Sequence, residues 1–183
     1  MIENAARLEA ELRRLKNGPR ADESPGGIGT VRFVAQCPAQ APLVLTKVAS
    51  VLTTVDEVAL KDWPTEEQWL SKLPEWFTSA FVSPMTSEQA ERWLAWWKTL
   101  PADEQARVEI EKDWSPDNWL HWMEPGNRQW YWWDAKVLDD VHRIIMAVEV
   151  DAWPFPWGAL RWLFKAAGAS SFVEVQTCSD ALR

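Results

Sequence analysis

Arg128-Gln129-Trp130-Tyr131-Trp132-Trp133-Asp134-Ala135-Lys136-Val137 is a run of aromatic and β-branched residues bounded by Pro125-Gly126-Asn127. It predicts a strand with Trp130 and Trp132 on one face and Tyr131 and Trp133 on the other. Asp139-Asp140 predicts a turn, and Ile144, Met146, Val148 and Val150 then alternate along a return strand. Trp153-Pro154-Phe155-Pro156-Trp157 breaks that period. A helix follows with Leu160, Leu163, Phe164 and Ala167 on one face and Gly168 placed as its C-cap. Phe172 to Thr177 predicts a last strand. The order is a β-hairpin followed by a β-α-β unit, whose crossover is expected to be right-handed. The fold class is α+β: a small mixed β-sheet with helices packed on one face.

Upstream of this stretch the period changes from two to about 3.6. Thr65-Glu66-Glu67-Gln68 and Thr86-Ser87-Glu88-Gln89 both have capping-box spacing. The first leads into Trp69, Leu70 and Leu73, and Pro74 ends or kinks that helix. The second leads into Ala90, Trp93, Leu94 and Trp97 at i, i+3, i+4 and i+7. Ser115-Pro116 reads as an N-cap with proline at the first helical position. Between these, Ala106, Val108 and Ile110 alternate with charges, which leaves helix or strand open. Val44, Val48, Val51, Leu52 and Val55 have helical spacing, and Val31 to Ala35 predicts a short strand.

At the start of the chain, Ala5, Leu8, Leu12 and Leu15 form an amphipathic stripe stopped by Asn17-Gly18-Pro19. The polar Gly/Pro-rich run from Arg20 to Gly29 predicts a flexible linker. Gly26-Gly27-Ile28-Gly29 sits in that run and opens no helix, so it is no phosphate loop. The expected organisation is an N-terminal helix and linker over residues 1–30 and one Trp-rich α+β domain over 31–183.

The 183 residues contain 15 Trp against 1 Tyr and 6 Phe, all the Trp lying between Trp63 and Trp162. Charge is just as uneven. The segment 63–127 holds five basic and twelve acidic residues, a net of −7 within a chain total of −8. Such a field repels nucleic acid and anionic membranes and steers basic partners. Cys37 and Cys178 stand far apart, which argues against a disulfide scaffold or a zinc site. No apolar run suits a signal peptide or a membrane span, so a cytoplasmic location is expected.

Candidate chemistry is sparse. His121 follows Asp117 by one helical turn, and His142 follows Asp139-Asp140 in the expected hairpin turn. Both are read as ordinary helix-surface and turn residues, so no metal and no cofactor is expected. The many carboxylates sit mostly in helix first turns, where they favour the dipole, and none singles out a general acid/base pair. No catalytic residue is expected, and the chain is read as a non-enzyme. Trp is large enough to dominate an interface. The expected partner-binding set is therefore Trp96, Trp97, Glu104, Glu109, Glu111, Asp113, Asp117, Trp122, Trp130 and Trp132.

The C-terminal region, with Arg128-Gln129-Trp130-Tyr131-Trp132-Trp133, Val148-Glu149-Val150-Asp151-Ala152-Trp153-Pro154 and Ala166-Ala167-Gly168-Ala169, resembles bacterial polymorphic-toxin and secreted-effector immunity proteins. The likeness covers the last third of the chain and is one of style; no family site residue maps onto it. It implies a non-enzymatic inhibitor that blocks the basic active-site surface of a cognate toxin. The alternative expectation is a small-molecule or carbohydrate-binding module that uses exposed Trp beside carboxylates.

Overall fold

The structure, a computed structural model, describes residues 2–138 and 141–175. Its elements are α1 (Ile2–Asn17), β1 (Gly29–Gln36), α2 (Ala41–Ala59), α3 (Glu66–Lys72), α4 (Glu75–Thr78), α5 (Ser87–Trp97), α6 (Ala102–Glu111), α7 (Pro116–Met123), β2 (Trp130–Val137), β3 (Arg143–Val150), α8 (Gly158–Ala167) and β4 (Ser171–Glu174). The strands form one sheet in the order β2-β3-β1-β4, with every neighbouring pair antiparallel. Since β1 is antiparallel to both β3 and β4, the latter two run parallel, joined across it by α8. The same holds of β1 and β2 about β3. Two split β-α-β units interlock in this way, which is the ferredoxin-like topology. The α+β class and the helix-covered sheet stand. The β-α-β unit is present, with β1 inserted between its strands.

Alternation assigns the faces. Phe33, Ala35, Ile144, Met146, Val148 and Val150 are buried on one face beneath α2 and α8. On α2 the buried residues Val44, Val48, Val51, Leu52 and Val55 keep the helical spacing of the sequence, so packing of one stripe overrides their β-branched preference. Phe172 stacks on Phe33 at 4.8 Å and on Phe164 at 4.6 Å, which ties β4 to β1 and α8. Gly168, at φ +115°, closes α8 as expected.

The aromatic run behaves differently from its expected two-faced pattern. A register shift between Trp132 and Asp134 leaves Trp133 in a bulge. Trp130, Tyr131 and Trp132 are all buried, and only Trp133 is partly open. Trp130 and Trp132 share the core face with Val150 and Val148, and Tyr131 on the other face is covered by α1, which packs along β2 and against α2. From there Arg7 stacks over Tyr131 at 4.7 Å and Arg14 over Trp133 at 4.8 Å. The N-terminal helix thus docks on its own chain and covers the outer edge of β2. The run expected to be a flexible linker is tied down as well: Glu23 accepts from the Arg20 amide and pairs with Arg13 and Arg14. The expected turn at Asp139-Asp140, and the end of the last strand at Gln176 and Thr177, lie outside the described residues.

Entry into β1 depends on Gly27. Its φ is +54°, and a Cβ there would collide with the Val150 carbonyl oxygen, which accepts the Ile28 amide at 3.0 Å. Gly27→Ala is expected to lower the unfolding free energy by at least about 2 kcal/mol, by left-handed strain plus displacement of this pairing. Urea denaturation of the two proteins checks it; a loss under about 0.5 kcal/mol would show that the turn relaxes freely.

Candidate functional site

Between α2 and β2 the chain inserts five helices, and they divide into two groups. The first is built into the body. Trp69 of α3 is fully buried against Trp63, and Phe77 of α4 meets Trp119 of α7 edge-on at 4.8 Å. The Trp119 indole N–H donates to the Ala159 carbonyl at 3.0 Å, which joins α7 to α8.

The second group, α5 and α6, stands away from the body. No residue of α5 is buried, and neither helix packs broadly on another element. Its local structure is nevertheless well specified. Thr86 and Gln89 form the reciprocal capping box at 2.9 and 3.3 Å. After the Leu100-Pro101 break, the Gln105 side-chain amide donates to the Trp97 and Leu100 carbonyls at 3.2 and 3.0 Å, closing the two helices into a hairpin. Residues 106–111, which the sequence left open between helix and strand, complete α6.

Three indoles organise this arm. Trp93 and Trp97 lie nearly parallel with centroids 6.2 Å apart, and the Lys112 ammonium sits 4.3 Å over the Trp93 ring. Trp96, one turn from Trp93, points outward and is 48% exposed. Leu94, Met85 and Val82 are similarly exposed nearby. Between the arm and the start of α7 runs a groove of about 350 Å³, walled by Val82, Met85, Trp93 and Leu94 on the apolar side and by Lys112, Asp113, Asp117 and Asn118 on the polar side. Its base is anchored to the body: Val82 N–H donates to the Trp114 carbonyl at 3.1 Å, and Lys165 of α8 pairs with Asp113 at 2.8 Å.

Charge on this arm follows the sequence. From Thr86 to Asn118 there are eight acidic and four basic residues. The i,i+4 pair Glu88–Arg92 is solvent-exposed, and Glu91, Asp103 and Glu111 are exposed as well. The arm therefore combines unburied apolar area with a negative rim, a pairing that marks interaction surfaces.

The expected contact residues fall into three groups. Trp96, Trp97, Glu104 and Glu111 lie on the α5–α6 arm, and Asp113 and Asp117 line its groove. Glu109 is on α6, with a side chain outside what the structure describes. Trp122 is half-buried and borders a separate recess of about 150 Å³ shared with Lys112, Asp113, Trp114 and Asn118. Trp130 and Trp132 are a correction. Their relative exposures are 0% and 3%, because α1 and the core close on β2 from both sides, and neither can reach a partner in this fold. Val82, Met85, Leu94 and Trp93 join the surface in their place. The signal for Val82 and Met85 was the apolar run Phe81-Val82 beside Met85 between two capping boxes, too short to assign to a core element, while Trp93 and Leu94 were read as the packing stripe of the helix that follows.

The two histidines stay apart from the arm. His121 Nδ1 lies 3.3 Å from the Asn127 amide, and His142 is exposed. Among the described residues no group of three or more His, Cys, Asp or Glu side chains could hold a metal ion, and no helix is long and apolar enough to cross a membrane. Compared with family models, with curated proteins and with solved structures, the chain matches none.

Proposed function

We propose that this chain is a non-enzymatic binding protein of the immunity or inhibitor type, which presents the α5–α6 arm to the basic active-site surface of a cognate toxin or effector. The observation that carries the reading is the arm itself, a two-helix hairpin with no buried residue on α5, an outward Trp96 and an excess of carboxylates. With Trp93 and Trp97 only half-buried and Leu94 and Trp96 exposed, α5 gains little from folding onto the body, and most helical stability normally comes from such packing. A partner surface that covers Trp96, Leu94 and Met85 supplies the missing burial. The negative rim speeds encounter with a basic partner, and desolvation of the indole holds the complex.

The carbohydrate-module reading is less favoured, because the Trp93 face open to the groove already carries the Lys112 ammonium. A sugar ring stacking there would have to displace it.

The test is co-expression with the product of the neighbouring reading frame, followed by calorimetry of the purified pair at several salt concentrations. Trp96→Ala is expected to weaken the complex by about 2 kcal/mol, roughly 30-fold in Kd, while moving stability by less than about 0.5 kcal/mol. Association that is unchanged by Trp96→Ala and indifferent to salt would refute the reading.

A further inference from the structure

Three charged side chains are fully buried together where α1, α2 and the segment leading into β2 meet. Arg128 donates through Nη1 to Asp56 Oδ1 at 2.9 Å and through Nη2 to Glu11 Oε1. The same Glu11 oxygen accepts the Trp132 backbone N–H at 2.6 Å. Since β2 is an outer strand, that N–H faces away from the sheet. A carboxyl group on α1 thus fills the place of a neighbouring strand's carbonyl and closes the edge.

The charges do not balance. Two carboxylates and one guanidinium leave one uncompensated negative charge, and all three side chains have no solvent exposure. One oxygen of each acid, Glu11 Oε2 and Asp56 Oδ2, is buried with no hydrogen-bond partner. The two carboxyl groups lie within hydrogen-bonding reach of each other. Two facing acceptors repel, and a proton on one of them turns the contact into a donor–acceptor pair and neutralises the cluster at once.

We propose that Glu11 and Asp56 form a proton-binding site, holding one proton between them at neutral pH, and that this proton latches α1 over the outer edge of β2. Among the described residues no second cation neutralises the pair. Arg128 is the cation within the cluster, and Tyr131 faces it from β2. Glu57, beside Asp56 on α2, adds negative potential. The other α1 cations are engaged elsewhere: Arg7 with Asp151 and Glu149, Arg13 with Glu23, Arg14 with Glu23 and Glu149, and Lys16 with Glu57 in a solvent-exposed pair. Burial, the largest influence, pushes the Glu11 carboxyl up to about 8; Arg128 opposes it and Asp56 adds to it. Asp56 is raised as well, again chiefly by burial.

The sign follows from the folded value lying above the ordinary one. The folded chain takes up a proton that the unfolded chain releases near 4.5. The stabilisation is complete below that pH and is lost as pH rises through about 8, at up to tenfold in the folding equilibrium per pH unit.

The experiment is a carboxyl-carbon NMR titration of the full chain, combined with amide exchange at Trp132. One carboxyl of the Glu11–Asp56 pair is expected to titrate near pH 8, and the Trp132 protection factor to fall by about tenfold between pH 7 and 9. Glu11→Gln carries a fixed N–H toward Asp56 and an oxygen for Arg128, and is expected to abolish both the titration and the pH dependence of Trp132 protection. Both carboxyls titrating below pH 6 in the unmodified chain would overturn the proposal, whether or not the variant folds. So would a Glu11→Gln protein whose Trp132 protection keeps the original pH profile.

Discussion

Arg128→Met is expected to lower the free energy of unfolding by about 3–5 kcal/mol, the range found when one partner of a buried ion cluster is removed. The substitution keeps most of the side chain's apolar volume, so the loss is electrostatic in origin. The Glu11–Asp56 pair, with its one shared proton, loses the cation that balances its remaining negative charge, and must take up a second proton or carry that charge in an apolar setting. The guanidinium also lies 4.3 Å from the Trp130 ring and 5.2 Å from Tyr131, contacts that methionine replaces only in part. Against a total of about 5–15 kcal/mol, this is a large fraction of the stability. Removing the charges together, as Glu11→Gln with Asp56→Leu and Arg128→Met, is expected to cost far less than Arg128→Met alone, because the glutamine oxygen still serves the Trp132 amide and no charge is left unpaired. Urea denaturation compares the variants. A single Arg128→Met protein within about 1 kcal/mol of the parent would show that the cluster is not what holds α1 down.

Trp119→Ala is the second large effect, also about 3–5 kcal/mol. The indole is fully buried, packs edge-on to Phe77 at 4.8 Å and donates its N–H to the Ala159 carbonyl. Its removal opens a cavity between α4, α7 and α8, the elements on which the arm stands. Trp96→Ala, on an exposed indole of similar size, is expected to leave stability nearly unchanged. Denaturation of the two variants side by side separates indoles that hold the fold from those left for a partner. Equal losses in both would contradict that division.

Much of the architecture could be read from periodicity. The hairpin β2–β3, the helix α8 with its Gly168 cap and both threonine capping boxes follow from local patterns, and local patterns are what short segments encode. The strand order could not be read this way. β1 precedes β3 by about a hundred residues, and nothing in Val31–Ala35 tells which strands it will separate; the pairing is set by closing apolar faces across the sheet. The misreading of Trp130 and Trp132 has the same origin. Trp130 and Trp132 pair with Val150 and Val148 and so face the core, while Tyr131 on the other face is covered by α1, more than a hundred residues earlier. A polar reason for that docking was present in Glu11, Asp56 and Arg128, but each looks like a surface residue until the three converge.

The arm was legible in part. Trp93, Trp96 and Trp97, at i, i+3 and i+4, crowd one face of a short helix, where Trp93 contacts both of the others. Which one faces outward depends on the hairpin with α6, fixed by Gln105 and by Lys112 over Trp93.

In the proposed function the α5–α6 arm is the surface through which this protein meets its partner. Hydrogen exchange of the chain, alone and in complex with the co-expressed neighbouring gene product, tests it most directly. New protection is expected between residues 82 and 118, centred on Trp96, with the sheet face that carries half-buried Val34 and exposed Val173 unchanged. Protection confined to that sheet face, with the arm exchanging as freely in the complex as alone, would contradict it.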